Sequence, residues 1–311
     1  MPYFSVITPM YNRAAVIGRA IDSCLAQGDD DFELLVVDDG SADGSAAVVA
    51  AYGDRRIRLF RHERNRGPCP ARNTAIARAR GQWCVMLDSD FALLPHALER
   101  LRARTGAAAS DVGNVASSCV WDTGRITPHP TGPVRVLDFP AYLHWLETIA
   151  VSEKLECIRR AAFADVQYPD SRAWEFEFHL DLAARWKTEL SDEVLVRVYS
   201  DAPNRLTAAS GAAAVARVLE DAPDKLASFE RALRTHGDAL RRWAPRIHDY
   251  LSVLAATQAT YCGERRRAFQ HAGNVLRRQP LSFDGWAATG LALLGARAAA
   301  WATVERRRRR A

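Results

Sequence analysis

Short apolar runs alternate with helical periodicities over the first hundred residues. Apolar runs at residues 4–8, 32–38, 57–60 and 83–87 predict four strands, and the second is apolar on both faces, as in a buried parallel strand. Between them, apolar residues recur at helical spacing, and Gly28, Gly53 and Gly81 mark the helix ends. Strand–helix alternation of this kind predicts an α/β fold with a mostly parallel sheet.

The pattern changes twice further along the chain. Residues 112–120 and 194–199 read as strands, and residues 174–187 read as a helix. After about residue 204 the chain becomes rich in Ala and Arg and helical, with Pro203, Pro223, Pro245 and Pro280 as expected breaks. We therefore expect a domain over residues 1–204, with halves at about 1–111 and 112–204, and a helical extension over 205–311.

Composition narrows the class of protein only slightly. The formal net charge is +5, from 42 Lys and Arg against 37 Asp and Glu, and five of the arginines form the tail at 306–310. Since much of the excess positive charge lies in this tail, the main body of the protein is not expected to bind nucleic acid.

The cysteines and the N-terminus favour a cytoplasmic protein. The six cysteines include no Cys-x-x-Cys pair, so we expect buried free thiols in a reducing compartment. The N-terminus lacks a basic segment followed by an apolar run, so no signal peptide is expected. No long apolar stretch is free of charge, so a spanning helix is not expected either.

Acidic residues follow the last strand of the first hundred residues. Asp88 and Asp90 are separated by one residue just past the strand, where both carboxylates can reach one hard divalent cation such as Mg²⁺ or Mn²⁺. Surface loops are rich in aspartate, so the motif alone is weak. Its position at a strand's carboxyl end, where ligands bind in open α/β sheets, strengthens it.

Two further loops carry possible ligand contacts. Asp39 stands at the end of the second strand, where its carboxylate can accept the imide N–H of a uracil ring, although an Asp-Gly turn is the plain alternative. Tyr11 follows Pro9 after the first strand, where its ring can stack on a base. A lone tyrosine there is more often a packing residue.

Taken together, these segments resemble the inverting family 2 glycosyltransferases of the GT-A fold. The resemblance rests on residues 4–12 (FSVITPMYN), 36–41 (VVDDGS), 65–67 (NRG), 71–75 (ARNTA) and 81–90 (GQWCVMLDSD). Order and spacing match the family closely over residues 3–91 and more loosely to about residue 199. The resemblance implies a Rossmann-like GT-A domain with a nucleotide-sugar half at 1–111 and an acceptor half at 112–204.

The resemblance also assigns roles to residues. It implies that the nucleoside contacts come from Thr8 or Pro9, Tyr11 and Asp39. Arg72 would lie near the diphosphate. Asp88 would approach the ribose or the metal, and Asp90 would be the main protein ligand of Mg²⁺ or Mn²⁺.

The expected catalytic base departs from the family pattern. Family members carry a Glu-Asp pair at the start of a later helix, and its Asp takes the acceptor's proton. Here Trp174-Glu175 stands in that place, so Glu175 becomes the expected base, with Glu177 as a rival. On a helix, Trp174, Phe178 and Leu182 would share one face and pack inward.

These features predict a metal-dependent glycosyltransferase that moves a sugar from a nucleotide-sugar, preferably a UDP-sugar, to a hydroxyl acceptor with inversion. A nucleotidyltransferase would carry a Gly-rich phosphate loop where this chain has Pro9-Met10-Tyr11-Asn12. A non-catalytic nucleotide-sugar-binding protein remains the alternative. The acceptor, a carbohydrate or a lipid-linked glycan in polysaccharide or glycoconjugate biosynthesis, cannot be read from the sequence.

The C-terminal segment suggests a contact with the membrane. Residues 287–304 are apolar, and consecutive arginines follow. Such a helix could lie on the anionic inner face of the membrane, while a packed terminal helix with a frayed tail is the plainer alternative.

Overall fold

The computed structural model describes residues 1–128, 132, 134–149, 153–172, 174–201 and 211–308. The chain divides into two compact units. One comprises Met1–Ser171 with Phe178–Pro203, and the other comprises Arg172–Glu177 with Asn204–Ala311. The division falls beside the boundary expected near residue 204, but it groups six residues around Trp174 with the helical unit.

The first unit is built on a sheet that has ten strands among the described residues. The strands are β1 (Phe4–Met10), β2 (Phe32–Asp38), β3 (Ile57–Arg61), β4 (Trp83–Met86), β5 (Phe91–Leu93), β6 (Val112–Trp121), β7 (Ile126–Thr127), β8 (Arg135–Leu137), β9 (Leu155–Arg159) and β10 (Lys187–Val198). Their order is β3-β2-β1-β4-β9-β6-β10-β5, with β7 on β6 and β8 on β10.

The sheet is mixed rather than mostly parallel. The first four strands pair in parallel, so that part of the prediction is correct. Strand β9 then enters antiparallel between β4 and β6, and β5, β7 and β8 are antiparallel to their partners. The α/β class is confirmed. The antiparallel pairs escaped prediction because the sequence beyond residue 112 has no regular strand–helix alternation.

Helices and apolar side chains cover both faces of the sheet. The helices of this unit are α1 (Ile17–Leu25), α2 (Ser45–Ala50), α3 (Pro68–Ile76), α4 (Ala97–Ala107), α5 (Phe139–Ile149) and α6 (Phe176–Arg185), with a 3-10 helix at Arg160–Ala164. Alternate residues of each strand enter opposite cores: Val36 joins one, and Leu35 and Val37 join the other. Strands β1 and β2 are buried along their whole length.

The second unit is helical, as expected for the C-terminal region. Its helices are α7 (Gly211–Trp243), α8 (Pro245–Tyr261), α9 (Arg265–Arg278), α10 (Phe283–Leu294) and α11 (Ala296–Arg308). Pro245 opens α8, but Pro223 lies inside α7, so the break expected there is wrong. An interior proline removes one backbone hydrogen bond and crowds the preceding turn, yet α7 continues through it.

The apolar segment before the C-terminus is not one helix. Gly295 separates α10 from α11, and the end of the arginine tail lies outside the described residues. Across the described part of the chain, none of the helices is both long and apolar enough to cross a membrane. The six cysteines are free, and all but Cys262 are buried, as predicted.

Candidate functional site

Strands β2, β1 and β4 are adjacent and parallel, so their carboxyl ends lie along one edge of the sheet. The sequence after β2 begins with Asp39, and the sequence after β4 contains Asp88 and Asp90. The fold therefore brings the predicted acidic residues to the edge where open α/β sheets bind ligands.

Hydrogen bonds join the loops that follow β1 and β2. The backbone N–H of Asn12 donates to the Ser41 hydroxyl at 2.9 Å, and the Asn12 side chain accepts from the N–H of Ala42 at 2.9 Å. The next N–H groups of the first loop, from Arg13 and Ala14, donate to Ser45 and to Asp43. These bonds hold the loop that carries Tyr11 in one position relative to the end of β2.

The carboxylate of Asp39 is buried and held by three donors. It accepts from the ring of His62 at 2.7 Å, from the N–H of Gly67 at 2.7 Å, and from the N–H of Arg66 at 3.0 Å to each oxygen. Together they make four contacts, two at each oxygen, which match the roughly four lone-pair positions of a carboxylate, so a ligand N–H would share an oxygen with one of them.

His62 is a residue that the sequence analysis missed. A carboxylate can only accept, so the Nδ1 that faces Asp39 carries the proton, and Nε2 accepts from the hydroxyl of Thr74 at 2.9 Å. The ring therefore fixes Asp39 from the end of β3. Its position just after the third predicted strand is the sequence feature that could have identified it as a site residue.

Asp38 has a structural role beside Asp39. Its side chain is fully buried, accepts from the N–H of Ser41 at 2.8 Å, and lies 3.3 Å from the guanidinium of Arg61. Gly40, between Asp39 and Ser41, has φ +76°, and a Cβ on it would lie 2.7 Å from the Arg64 backbone. Only glycine fits this turn, which orients Asp39.

Thr8 and Pro9 lie near the end of β1. The Thr8 hydroxyl is buried and has no hydrogen-bond partner among the described residues, which is uncommon for a polar group inside a protein. The pairing of β1 with β4 ends at Ile7, so Pro9, which has no N–H, lies beyond it. Tyr11 follows the strand and is half-buried.

Arg72 and Asp88 are bonded to each other. Helix α3 places the Arg72 guanidinium, almost wholly buried, 2.7 Å from Oδ1 of Asp88, and the same guanidinium lies 5.5 Å from the centre of the Tyr168 ring. The Asp88 side chain remains 35% exposed, so part of the carboxylate still faces solvent. The sequence analysis predicted that both residues belong to the site, but it did not predict their ion pair.

Asp90 is half-buried two residues further along, and its backbone carbonyl accepts from the N–H of Tyr199. Among the described residues, no group of three or more His, Cys, Asp or Glu side chains is arranged to hold a metal. Magnesium and manganese need no such cage, because one or two carboxylates suffice when substrate phosphates and water supply the remaining oxygens. Asp88 and Asp90 therefore fit a cation that binds together with a diphosphate.

The segment with the two candidate bases differs from the predicted helix. Helix α6 starts at Phe176, so Trp174 and Glu175 precede it and Trp174 is not part of a helix face. Trp174 is 38% exposed and contacts Phe229, whereas Phe178 is buried in the core below the sheet, so the shared inward face is wrong for Trp174.

The two glutamates have different surroundings. The Glu177 side chain is 6% exposed and lies 3.1 Å from the guanidinium of Arg231. Glu175 is half-buried. The Arg231 guanidinium stabilises the charged form of the Glu177 carboxylate.

A buried polar cluster in the middle of the sheet also escaped sequence analysis. Glu156 on β9 accepts from the side chain of Asn114 at 2.9 Å and lies 3.2 Å from Lys154 and 3.4 Å from His179. Burial acts to raise the pKa of Glu156, but His179, Lys154 and Asn114 outweigh it and lower the pKa. His179, on α6, belongs to this cluster.

Comparison with known proteins gives the family of the first half of the chain. The sequence profile of Glycosyl transferase family 2 matches residues 5–145. The succinoglycan biosynthesis protein ExoO of Rhizobium meliloti is 46% identical over 112 residues, which are 36% of this chain and 32% of ExoO. This chain thus matches about a third of the length of that relative.

Solved structures resemble the whole fold. S. aureus TarS 1-349, solved in complex with UDP-GlcNAc, superposes with a TM-score of 0.61 at 18% identity, covering 100% of this chain and 92% of TarS 1-349. The mannosyltransferase PcManGT of Pyrobaculum calidifontis, solved with GDP-Man and Mn²⁺, gives 0.54 at 22% identity, covering 97% and 86%. At these identities the likeness establishes the fold, which is the GT-A type. With the profile match, it follows that residues 5–145 of this chain form a domain of glycosyl transferase family 2.

Proposed function

We propose that this protein is a metal-dependent glycosyltransferase that transfers a sugar from a UDP-sugar to a hydroxyl acceptor with inversion. The observation that carries the proposal is the convergence of Asp39, Thr8 and the Arg72–Asp88 pair at one edge of the parallel strands. This edge offers the Asp39 carboxylate as an acceptor for a base, the Thr8 hydroxyl and the Arg72 guanidinium, which together suit a nucleoside diphosphate.

The nucleoside end of the site consists of the loops after β1 and β2. The Asp39 carboxylate is the acceptor for the imide N–H of uracil, and His62 holds it in place for that bond. Tyr11 stacks on the base, and Thr8 or Pro9 supplies a further contact. TarS 1-349 was solved with UDP-GlcNAc, in line with a uridine nucleotide, whereas PcManGT was solved with GDP-Man.

The diphosphate end consists of Arg72, Asp88 and Asp90. Asp90, with Asp88, would hold Mg²⁺ or Mn²⁺, and the bound cation would neutralise negative charge on the leaving nucleoside diphosphate. Arg72 donates N–H groups toward the same phosphates, and its pairing with Asp88 keeps the long side chain in place. The Mn²⁺ in the PcManGT structure supports a divalent cation without choosing between the two metals.

The transfer step is a single displacement. The acceptor oxygen attacks the anomeric carbon, the bond from that carbon to the diphosphate oxygen breaks, and Glu175 takes the acceptor proton. One in-line attack inverts the anomeric configuration. Glu177 is the less suitable base because its carboxylate is buried against Arg231.

The acceptor is a carbohydrate or a lipid-linked glycan, and the process is polysaccharide or glycoconjugate biosynthesis. The succinoglycan biosynthesis protein ExoO is a relative of that kind. We place the protein in the cytoplasm, at the inner face of the membrane through its arginine tail.

A nucleotide-binding and hydrolysis experiment tests the proposal. Calorimetry with UDP, GDP and dTDP in the presence of Mn²⁺ should give the tightest binding for UDP, and a panel of UDP-sugars should reveal one that the protein hydrolyses or transfers. Binding of UDP without turnover of any UDP-sugar, with carbohydrate acceptors supplied, would favour the non-catalytic alternative. Failure to bind any of the three nucleotides would overturn the proposal.

A further inference from the structure

Helices α7, α8 and α9 of the helical unit border a solvent-open cavity of about 540 Å³. Its wall is polar: five of the lining residues are arginines, two are histidines and one is a glutamate. The arginines are Arg234, Arg241, Arg267, Arg277 and Arg278. Four of these arginines are exposed and Arg267 is half-buried, so the cavity presents its charge to solvent.

The polar residues recur at helical spacing on each wall. On α9, Arg267, His271, Asn274 and Arg278 follow one another at intervals of three or four residues, so they share one helix face. On α8, His248 and Ser252 are four residues apart. The helical spacing thus places a row of polar side chains along the cavity.

Part of the arginine charge is compensated by nearby carboxylates. Arg267 pairs with Glu230 and Glu264, and Glu230 also accepts from His271 at 2.9 Å. Arg278 pairs with Asp249. These contacts explain why the helices tolerate a cluster of cations between them.

The compensation is incomplete. Arg241 pairs with Asp238, which is 96% exposed and therefore a weak partner in water. Arg277 donates only to the amide oxygen of Asn274, and no carboxylate of the described residues pairs with either Arg277 or Arg234. The cavity therefore keeps an excess of positive charge.

His248 lies between two of the arginines. Its Nδ1 lies 2.8 Å from the Arg278 guanidinium and 3.5 Å from the Asp249 carboxylate, and its Nε2 lies 3.3 Å from the Arg241 guanidinium. With the proton on Nδ1, the ring faces Asp249 as a donor and accepts from Arg241 at Nε2. Burial and the charges of Arg278 and Arg241 lower the pKa of His248, although Asp249 acts in the opposite direction.

We propose that this cavity binds a phosphate or diphosphate group. A diphosphate carries several acceptor oxygens, which match the charged donors of Arg234 and Arg277. The lining residues all belong to helices α7 to α9, so this site shares no residue with the strand edge proposed for the nucleotide. The group can belong to a free phosphorylated glycan or to a lipid headgroup, which share this chemistry.

The test compares pyrophosphate binding to the full chain and to charge variants, by calorimetry at fixed ionic strength in EDTA. EDTA removes any cation that could recruit pyrophosphate to Asp88 and Asp90. The double variant Arg234→Gln with Arg277→Gln should bind pyrophosphate at least about tenfold more weakly, since it loses two charged donors. Arg266→Gln, an exposed position on α9 outside the cavity, is the matched control and should bind as the wild type does.

A spectroscopic readout covers the case in which the double variant folds poorly. Pyrophosphate should raise the pKa of His248, followed by NMR on a ring resonance that is missing from His248→Gln, because an anion stabilises the imidazolium. Equal pyrophosphate binding by the wild type and a folded double variant, or no change at His248, would overturn the proposal.

The two sources are separated with vesicles. Capture by phosphatidylcholine vesicles that contain phosphatidylglycerol, lost in the double variant and prevented by pyrophosphate, would assign the cavity to a headgroup. Pyrophosphate binding without vesicle capture would assign it to a free phosphorylated ligand. UDP binding, measured on the same variants, should not change, so failure here is distinct from failure of the proposed function.

Discussion

The Arg72 guanidinium donates to the Asp88 carboxylate at 2.7 Å, although the two residues lie on different elements of the fold, α3 and the loop after β4. Each limits the freedom of the other, so the cationic group expected at the diphosphate and the carboxylate expected at the ribose or metal act as a unit. Contacting residues of this kind are expected to show non-additive effects on mutation.

A double-mutant cycle tests this coupling. Arg72→Gln and Asp88→Asn should each lower kcat/KM, and the double variant should lose less than the sum by about 0.5–3 kcal/mol. Arg58→Gln removes a similar pair, with Glu33 near the amino end of β2, and should leave kcat/KM unchanged. Strict additivity of the two losses would show that the pair does not act as a unit.

Asp90 is expected to control the metal. Asp90→Asn should lose Mn²⁺ binding in the presence of UDP, measured by calorimetry or electron paramagnetic resonance, because a hard cation needs carboxylate oxygen. Asp111→Asn, whose exposed carboxylate pairs with Lys187, is the control and should bind Mn²⁺ normally. Full transferase activity of the wild type in EDTA would refute metal dependence.

Asp39 is expected to select the base. Asp39→Asn should weaken UDP binding by about 1–3 kcal/mol, the usual cost of losing one partner of a buried hydrogen bond. Asn is preferred to Ala because it keeps the size of the side chain and one of the two oxygens that accept from His62, Arg66 and Gly67. Asp30→Asn, an exposed control, should bind UDP as the wild type does. Tighter binding of GDP than of UDP to the wild type would contradict the uracil assignment.

The two glutamates near the start of α6 should behave differently. Loss of a general base costs about 10²–10⁴-fold in rate, so Glu175→Gln should lose most turnover and still bind UDP. Glu177→Gln should keep turnover within a few-fold but lower the melting temperature, since its carboxylate pairs with Arg231. The reverse pattern of rates would move the base to Glu177, and unchanged rates in both would place it elsewhere.

The buried cluster around Glu156 predicts a pH-dependent stability. The folded pKa of Glu156 is lowered, so its contribution is fully present above the unfolded pKa of about 4.3 and is lost as the pH falls through the folded pKa. Chemical unfolding should therefore show Glu156→Gln to be less stable at pH 7, with a shallower loss of stability below about pH 4.3. Glu193→Gln, at a partly exposed pair with Arg100, should retain the acid slope of the wild type.

Local patterns were sufficient for the parallel part of the fold. Strands β1 to β4 and helices α1 and α3 were predicted because buried strands and amphipathic helices leave a periodicity within a few residues. The carboxyl ends of parallel strands share an edge, so the placement of Asp39, Asp88 and Asp90 along that edge followed from the chain order alone. The motifs within residues 4–90 were sufficient to indicate glycosyltransferase family 2, whose profile matches residues 5–145.

Tertiary structure decided the partners. His62 on Asp39, Arg231 beside Glu177 and the antiparallel insertion of β9 involve residues far apart in sequence, and periodicity carries no information about which distant side chains meet. The start of α6 at Phe176 likewise removed Trp174 from the predicted helix face. The arginine cavity likewise depends on contacts between distant residues. The spacing of polar residues on each helix can be read from the sequence, but only the packing of the three helices brings these residues together around one cavity.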